Sequence, residues 1–236
     1  MSDKKVIGII GAMEVEVTAL KNEMNVTRIV KKASMEFYEG TLHGKHIVVV
    51  KSGIGKIHGA LCTQVLVDEF QITAVINTGI AGSLKKEINI GDIVVSTDAL
   101  QHDFHVGGPL GYEKGQIPGL DTLAFPADQE LIDLACNSCK KANPDIQVFK
   151  GRVVTGDQFI FKQSKKDELI KDFQGYCTEM EGGAIAHAAY VNRIPFVIIR
   201  AISDKADDSA TMDYDEFEKQ AADHSVRLTN EMIKHI

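Results

Sequence analysis

No stretch of the chain approaches the roughly 20 apolar residues needed to cross a bilayer. The longest comparable run, Phe196-Val197-Ile198-Ile199, stops at Arg200. Met1 to Lys5 pass almost directly into the apolar Val6 to Ile10, a run too short and too early for a signal peptide with a cleavage site, so a cytoplasmic protein is expected. Positive charge is also in short supply. Lys and Arg total 26 against 33 Asp and Glu, a formal net charge of -7, which removes any general attraction to phosphate backbones or anionic membranes. Neither nucleic acid nor membrane is expected as a partner.

Arginine is scarcer still: Arg28, Arg152, Arg193, Arg200 and Arg227 are the only five. A phosphoryl or phosphorolytic site wants several fixed cations around its anion. Acidic groups without such a cluster fit attack by water better. The four cysteines include one Cys-x-x-Cys, Cys136 and Cys139, with no second pair to complete a metal site, and on a helix they read as half-buried core thiols. The chain also lacks a Gly-x-x-x-x-Gly-Lys-Ser/Thr loop, a complete Gly-x-Gly-x-x-Gly fingerprint and a Gly-x-Ser-x-Gly elbow. No cofactor is called for, and Ser52-Gly53-Ile54-Gly55-Lys56 reads as a tight turn.

What is present is 44% apolar residues in alternating βα order, enough for one well-packed domain spanning 1–236. Val6 to Ile10 is apolar throughout, as a strand covered on both faces should be, and Gly11-Ala12-Met13 leads into a helix near Glu14. Phe37 to Leu42 and His46 to Val50 flank His43-Gly44-Lys45 as an antiparallel hairpin. A helix follows from about Ile57 to Glu69, then a strand Ala74 to Asn77 closed by the small-residue turn Thr78-Gly79-Ile80-Ala81-Gly82, then a strand Ile93 to Ser96. Gln101 to Leu120, rich in Gly, Pro and His, reads as an excursion over the surface. The alternation resumes with a helix around Ala127 to Ala142, a strand Ile146 to Val154, helices Ser164 to Phe173 and Gly183 to Asn192, a strand Phe196 to Ala201 and a last helix near Asp213 to Lys234. The order predicts a three-layer α/β fold, a single domain whose mixed, mostly parallel central sheet is flanked by helices and extended by antiparallel strands.

Sites in such sheets form beyond the carboxyl ends of the strands. Three acidic groups of residues stand there: Glu14 and Glu16 after the first strand, Glu179 and Glu181 before Gly182-Gly183, and Asp204 after Phe196 to Arg200. His102-Asp103-Phe104-His105 holds possible ligands but no complete metal pattern and reads as polar surface loop; no metal is expected.

Taken in order, Ile7 to Val17, Lys51 to Lys56, Asn77 to Gly82, Gly156 to Ile160, Glu179 to Gly182, Arg200 to Asp204 and Asp215 to Phe217 resemble the bacterial 5'-methylthioadenosine/S-adenosylhomocysteine nucleosidases, within the purine nucleoside phosphorylase-like superfamily. The resemblance spans nearly the whole chain. It implies hydrolysis of a ribosyl C–N bond with release of adenine, and related readings are a 6-amino-6-deoxyfutalosine hydrolase, a nucleoside phosphorylase or a non-catalytic nucleoside sensor.

By that resemblance Glu16 activates water and Asp204 protonates the leaving adenine at N7. Glu181 binds the ribose hydroxyls, Met180 touches the sugar, Arg200 supports the carboxylates, Phe159 stacks on the purine and Ile160 reads adenine through its backbone. Ile54, Ile80 and Ser203 complete the expected substrate-binding set. Ile80 departs from the pattern, standing where relatives commonly have serine. The resemblance also implies a homodimer in which Val106 and Leu110 of the middle loop help complete the neighbouring subunit's pocket.

Overall fold

The computed structural model describes residues 5–236; the start of the chain, Met1 to Lys4, lies outside them. β1 (Val6–Gly11) is buried along its whole length, as its unbroken apolar sequence requires. A single 3₁₀ turn, Glu14–Glu16, and the short α1 (Thr18–Glu23) follow. β2 (Asn25–Lys32), β3 (Met35–Leu42) and β4 (Lys45–Lys51) form an antiparallel meander, the last two being the expected hairpin. Next come α2 (Lys56–Phe70), β5 (Ala74–Ser83), β6 (Ile93–Gln101), the two-residue β7 (Phe125–Pro126) and α3 (Gln129–Ala142). The chain ends with β8 (Val148–Thr155), α4 (Gln163–Phe173), β9 (Cys177–Glu179), α5 (Gly182–Val191), β10 (Phe196–Asp204) and α6 (Ala210–Ile233).

All ten strands join one mixed sheet in the order β10-β6-β8-β9-β5-β1-β4-β3-β2, with β7 on β6. β10 also pairs with β5, so β5, β10, β6, β8 and β9 close on themselves while β1 to β4 extend outward as a wing. β1 lies parallel to β4 and β5, β10 parallel to β5, and β8 parallel to β6 and β9. Antiparallel pairs add the meander and seal the closed part at β6–β10 and β5–β9. This is the expected three-layer α/β architecture. One apolar core lies between the sheet and α1, α3 and α6, a second lies between the sheet, α2 and α5, and a smaller third packs Leu169 and Phe173 of α4 against Leu100 and Val154. On α6, Ala221, Leu228 and Met232 are buried, and Phe217 on the same stripe is half-buried.

Four local expectations change. β5 does not end at Asn77: Thr78 to Gly82 continue it to Ser83. The chain after Met13 makes a 3₁₀ turn before its helix. β2 and β9 are additional strands, short of apolar pattern in one case and of length in the other. His102 is not surface loop but buried, its ring 6.3 Å from that of Phe173. All four cysteines are free and buried, including Cys136 and Cys139 on α3. Among the described residues no cluster of three or more His, Cys, Asp or Glu could hold a metal, and no helix is long and apolar enough to cross a membrane.

Candidate active site

β1, β5 and β10 run parallel, so Gly11, Gly82 and Asp204 reach the same end of the sheet, where a cavity of about 430 Å³ opens. Beyond Gly11 the chain turns back on itself. Glu16 closes that turn, its Oε2 accepting from the backbone N–H groups of Ala12 at 2.6 Å and Met13 at 2.9 Å. Its Oε1 accepts from the Ile80 N–H on β5 at 3.2 Å. The carboxyl reaches β5 only because Gly79 has no side chain; a Cβ there would stand 2.8 Å from Glu16 Oε1 and 3.1 Å from Arg200 Nη1. Burial, the largest influence, raises the Glu16 pKa, while the Arg200 charge and the three N–H donors oppose it.

Asp204 ends β10 opposite Gly82. One oxygen accepts from the Ala206 N–H at 2.8 Å and the other from the Ser203 hydroxyl at 2.9 Å. Its pKa is also raised, first by burial, with Asp213 and Asp207 adding to the rise. The two acids therefore differ in the sign of their charged surroundings: Glu16 has a cation behind it, Asp204 has anions.

Glu181 stands just ahead of α5, and its Oε1 accepts from the Gly55 N–H at 2.7 Å. Gly55, at φ 101°, occupies backbone space that favours glycine. The neighbouring Lys56 N–H donates to Asp157 Oδ1 at 2.9 Å, so carboxylates take the two donors that a phosphate loop would offer. Burial and the nearby Glu179 push Glu181 up to about 8.

Glu179 is the residue that the sequence reading placed at a strand end without giving it a role. Its Oε2 accepts from Arg200 Nη2 at 2.5 Å, from the Gly182 N–H at 2.6 Å and from the Glu181 N–H at 3.1 Å, while the Thr155 hydroxyl donates to its Oε1. Arg200 donates in addition to Asn77 Oδ1 at 2.6 Å and to the Ile199 carbonyl at 3.0 Å. Arg200 thus does not line the cavity, contrary to its place in the expected substrate-binding set. The guanidinium is held behind the wall by Glu179 and Asn77, where it serves as countercharge to the buried acids.

Of the expected site residues, Glu16, Ile54, Ile80, Phe159, Ile160, Met180, Glu181, Ser203 and Asp204 all line this one cavity. Phe159, 44% exposed, meets Tyr214 of α6 edge-on at 5.7 Å between ring centres. Tyr214, Thr211 and Asp215 wall the cavity from α6, and Met13 and Thr178 add further lining. Asp215 belongs to the Asp215 to Phe217 motif, whereas Tyr214 has only its position beside that motif to mark it. Val106 and Leu110 do not reach their own chain's cavity, and Leu110 is 68% exposed on a 3₁₀ turn.

A cavity lined by two carboxyls of opposite electrostatic setting, beyond the strand ends of a partly closed mixed sheet, defines a class. The phosphorylase superfamily matches this chain over residues 6–234. The chain is 41% identical over 231 residues to a 5'-methylthioadenosine/S-adenosylhomocysteine nucleosidase of an Exiguobacterium species, covering 98% of both chains. The crystal structure of the Neisseria meningitidis 5'-methylthioadenosine/S-adenosylhomocysteine nucleosidase in complex with methylthio-immucillin-A superimposes with a TM-score of 0.94 at 38% identity, over 98% of this chain and 100% of that one. A futalosine hydrolase of Helicobacter pylori is similar at a TM-score of 0.92 and 30% identity, over 99% of each chain. Within the superfamily, the chain belongs to the 5'-methylthioadenosine/S-adenosylhomocysteine nucleosidase family.

Proposed function

We propose that the protein hydrolyses the N-glycosidic bond of 5'-methylthioadenosine and S-adenosylhomocysteine, releasing adenine and the corresponding thioribose. The observation that supports this most is the placement of Glu16 and Asp204 in one buried cavity with opposite charged neighbours. Breaking a ribosyl C–N bond develops positive charge on the sugar and negative charge on the base, so opposite changes must be stabilised in two places. Asp204, buried among acids, holds a proton and shares it with purine N7. Glu16, backed by Arg200 and held by three N–H donors, accepts a proton from the attacking water. Arg200 is the one countercharge shared by Glu16, Glu179 and Glu181.

Glu181 takes the ribose hydroxyls, Met180 packs on the sugar, Phe159 stacks on the purine and the Ile160 backbone reads its polar edge. Ser203 acts by holding Asp204, and Ile54 and Ile80 offer apolar surface. The reaction needs no metal, nicotinamide or covalent nucleophile. Hydrolysis of 6-amino-6-deoxyfutalosine is the second reading, favoured by the similarity to the futalosine hydrolase and by the same adenine-ribose end.

The protein is proposed to work as a homodimer. Ile57, Leu61 and Val191 are 72%, 47% and 54% exposed on α2 and α5, an apolar face of the sort that partners cover. Val106 and Leu110 would then complete the partner's cavity on its 5' side. Four reduced, buried thiols fit a cytoplasmic location.

The decisive assay is adenine release with phosphate omitted. Release from methylthioadenosine at rates above those from 6-amino-6-deoxyfutalosine supports the first reading; strict phosphate dependence with ribose 1-phosphate as product would replace it with a phosphorylase, and tight binding without turnover with a sensor.

A further inference from the structure

Lys166 of α4 is 9% exposed, a depth that lysine reaches only when its charge is paired. Its Nζ donates to the Lys205 carbonyl at 2.6 Å and lies 3.5 Å from Asp207 Oδ2. Both partners belong to the short loop that leaves β10 after Asp204. Lys166 itself does not line the cavity.

The bond to Lys205 bears on Asp204 because a peptide group is rigid. The Lys205 carbonyl and the Ala206 N–H belong to one planar trans unit, so they point in opposite directions. The carbonyl accepts from Lys166, and the N–H donates to Asp204 Oδ1 at 2.8 Å. Ammonium, peptide and carboxyl thus form one hydrogen-bonded chain. Orienting one end orients the other, and a cation on the carbonyl polarises the peptide and makes its N–H a stronger donor.

Ala206 is held in a conformation that alanine does not favour. Its φ is 52°, in left-handed backbone space, and such positions persist where the surroundings over-determine them. α4 supplies that restraint twice: Ala206, fully buried, joins Leu169 and Phe173 in the third core, and Lys166 grips the carbonyl just before it. The Lys205 side chain is tied in turn to the Ile88 carbonyl.

We propose that Lys166 is a positioning residue for Asp204: through the Lys205–Ala206 peptide it aims and strengthens the N–H that stabilises the carboxylate formed as the proton leaves for the purine. The assignment rests on the reading given above, in which Asp204 serves N7. Asp204 is neutral before the transfer and anionic after it, so a donor aimed at Oδ1 is worth more once the proton has gone. The contact with Asp207 works in the same direction, since it offsets one of the two acids that oppose ionisation of Asp204. Lys166 therefore contributes to kcat and little to KM, although it touches no substrate.

The test measures kcat and KM on 5'-methylthioadenosine for wild type, Lys166→Met and Lys166→Arg, and repeats the Lys166→Met comparison in an Asp204→Asn background. Lys166→Met should lose roughly tenfold in kcat, with KM within about twofold of wild type. Lys166→Arg, which keeps a donor and a charge, should recover most of that loss. Against Asp204→Asn, where no carboxylate forms, Lys166→Met should cost less than about twofold, because residues that act through one another are not additive. A tenfold loss in both backgrounds, a rise in KM in place of the fall in kcat, or unchanged kcat in folded Lys166→Met would overturn the proposal. If Lys166→Met does not fold, Lys166→Gln, which keeps a donor for the carbonyl without the charge, is held to the same comparison. Wild type that releases no adenine would overturn the reading of the whole site and the proposal with it, whereas each result above leaves wild-type turnover intact, so the two failures are distinct.

Discussion

Glu16 and Asp204 are both buried carboxyls with raised pKa values, and their difference lies in what surrounds them. Arg200 and three backbone N–H groups favour the anion at Glu16, whereas Asp213 and Asp207 favour the neutral acid at Asp204. Asp204→Asn keeps the shape and the hydrogen bond from Ala206 but has no proton to deliver. Steady-state turnover should fall by roughly 10²–10⁴ with little change in melting temperature. Glu16→Gln should fall comparably, through loss of the proton acceptor. Near-normal kcat in either folded variant would remove that residue from its role. Arg200 acts differently, since its charge compensates acids that water cannot reach. Arg200→Met leaves Glu179 buried without its partner and should destabilise the fold by about 3–5 kcal/mol in denaturant unfolding. A loss of activity without a loss of stability would contradict this account of Arg200.

At the scale of the element, β5 explains why part of the site was legible in sequence and part was not. Thr78-Gly79-Ile80-Ala81-Gly82 has the composition of a turn, yet it is strand. Gly79 and Gly82 are needed because Glu16, Arg200 and Asp204 occupy the space their side chains would fill, not because the backbone bends there. Local composition cannot separate these two causes, because the occupying groups come from β10 and from the turn after β1. Gly82→Ala should therefore leave the circular dichroism spectrum intact while displacing Asp204 and lowering kcat by at least tenfold, an effect of the size expected for a misplaced catalytic group. Unchanged kcat would mean that the strand end relaxes without cost to the site. β2 is illegible locally for another reason: it is an exposed edge strand, with Arg28, Lys31 and Lys32 among its residues, and it owes its conformation to pairing with β3. By contrast β1, β4 and the opening residues of β6 and β10, Ile93 to Val95 and Phe196 to Ile199, are dominated by apolar, mostly β-branched residues, so their strand character is local. The acids at strand ends were visible through alternation alone, whereas assigning each a role needed the ordered motifs. Glu179 was visible as an acid, but its partnership with Arg200 is a long-range contact that no spacing reveals.

At the scale of the molecule, two consequences follow from what is left exposed and what is buried. If α2 and α5 form the contact between subunits, Leu61→Glu should convert a dimer to a monomer in light scattering, and turnover should fall with it because Val106 and Leu110 would no longer reach a partner's cavity. A monomer with full activity would separate the two claims. The buried acids bear on stability itself. Glu181 has an ordinary pKa of 4.5 and is pushed up to about 8 in the fold. Between those values the folded chain binds a proton that the unfolded chain has released, so this group's contribution to stability is complete below 4.5, declines as pH rises, and is lost above about 8. Glu181→Gln keeps the volume and removes the titration. Ligand-free wild type and variant should differ little in melting temperature at the acid end of that window, and the variant should become progressively more stable toward pH 9. The same variant should bind ribose poorly and turn over slowly, since the amide offers one acceptor oxygen where the carboxyl, ionised as the ribose hydroxyls bind, offers two. A pH-independent difference in melting temperature would show that Glu181 does not hold its proton in the fold. Stability gained at alkaline pH together with activity lost would identify the crowding of acids around Arg200 as a strain kept for catalysis.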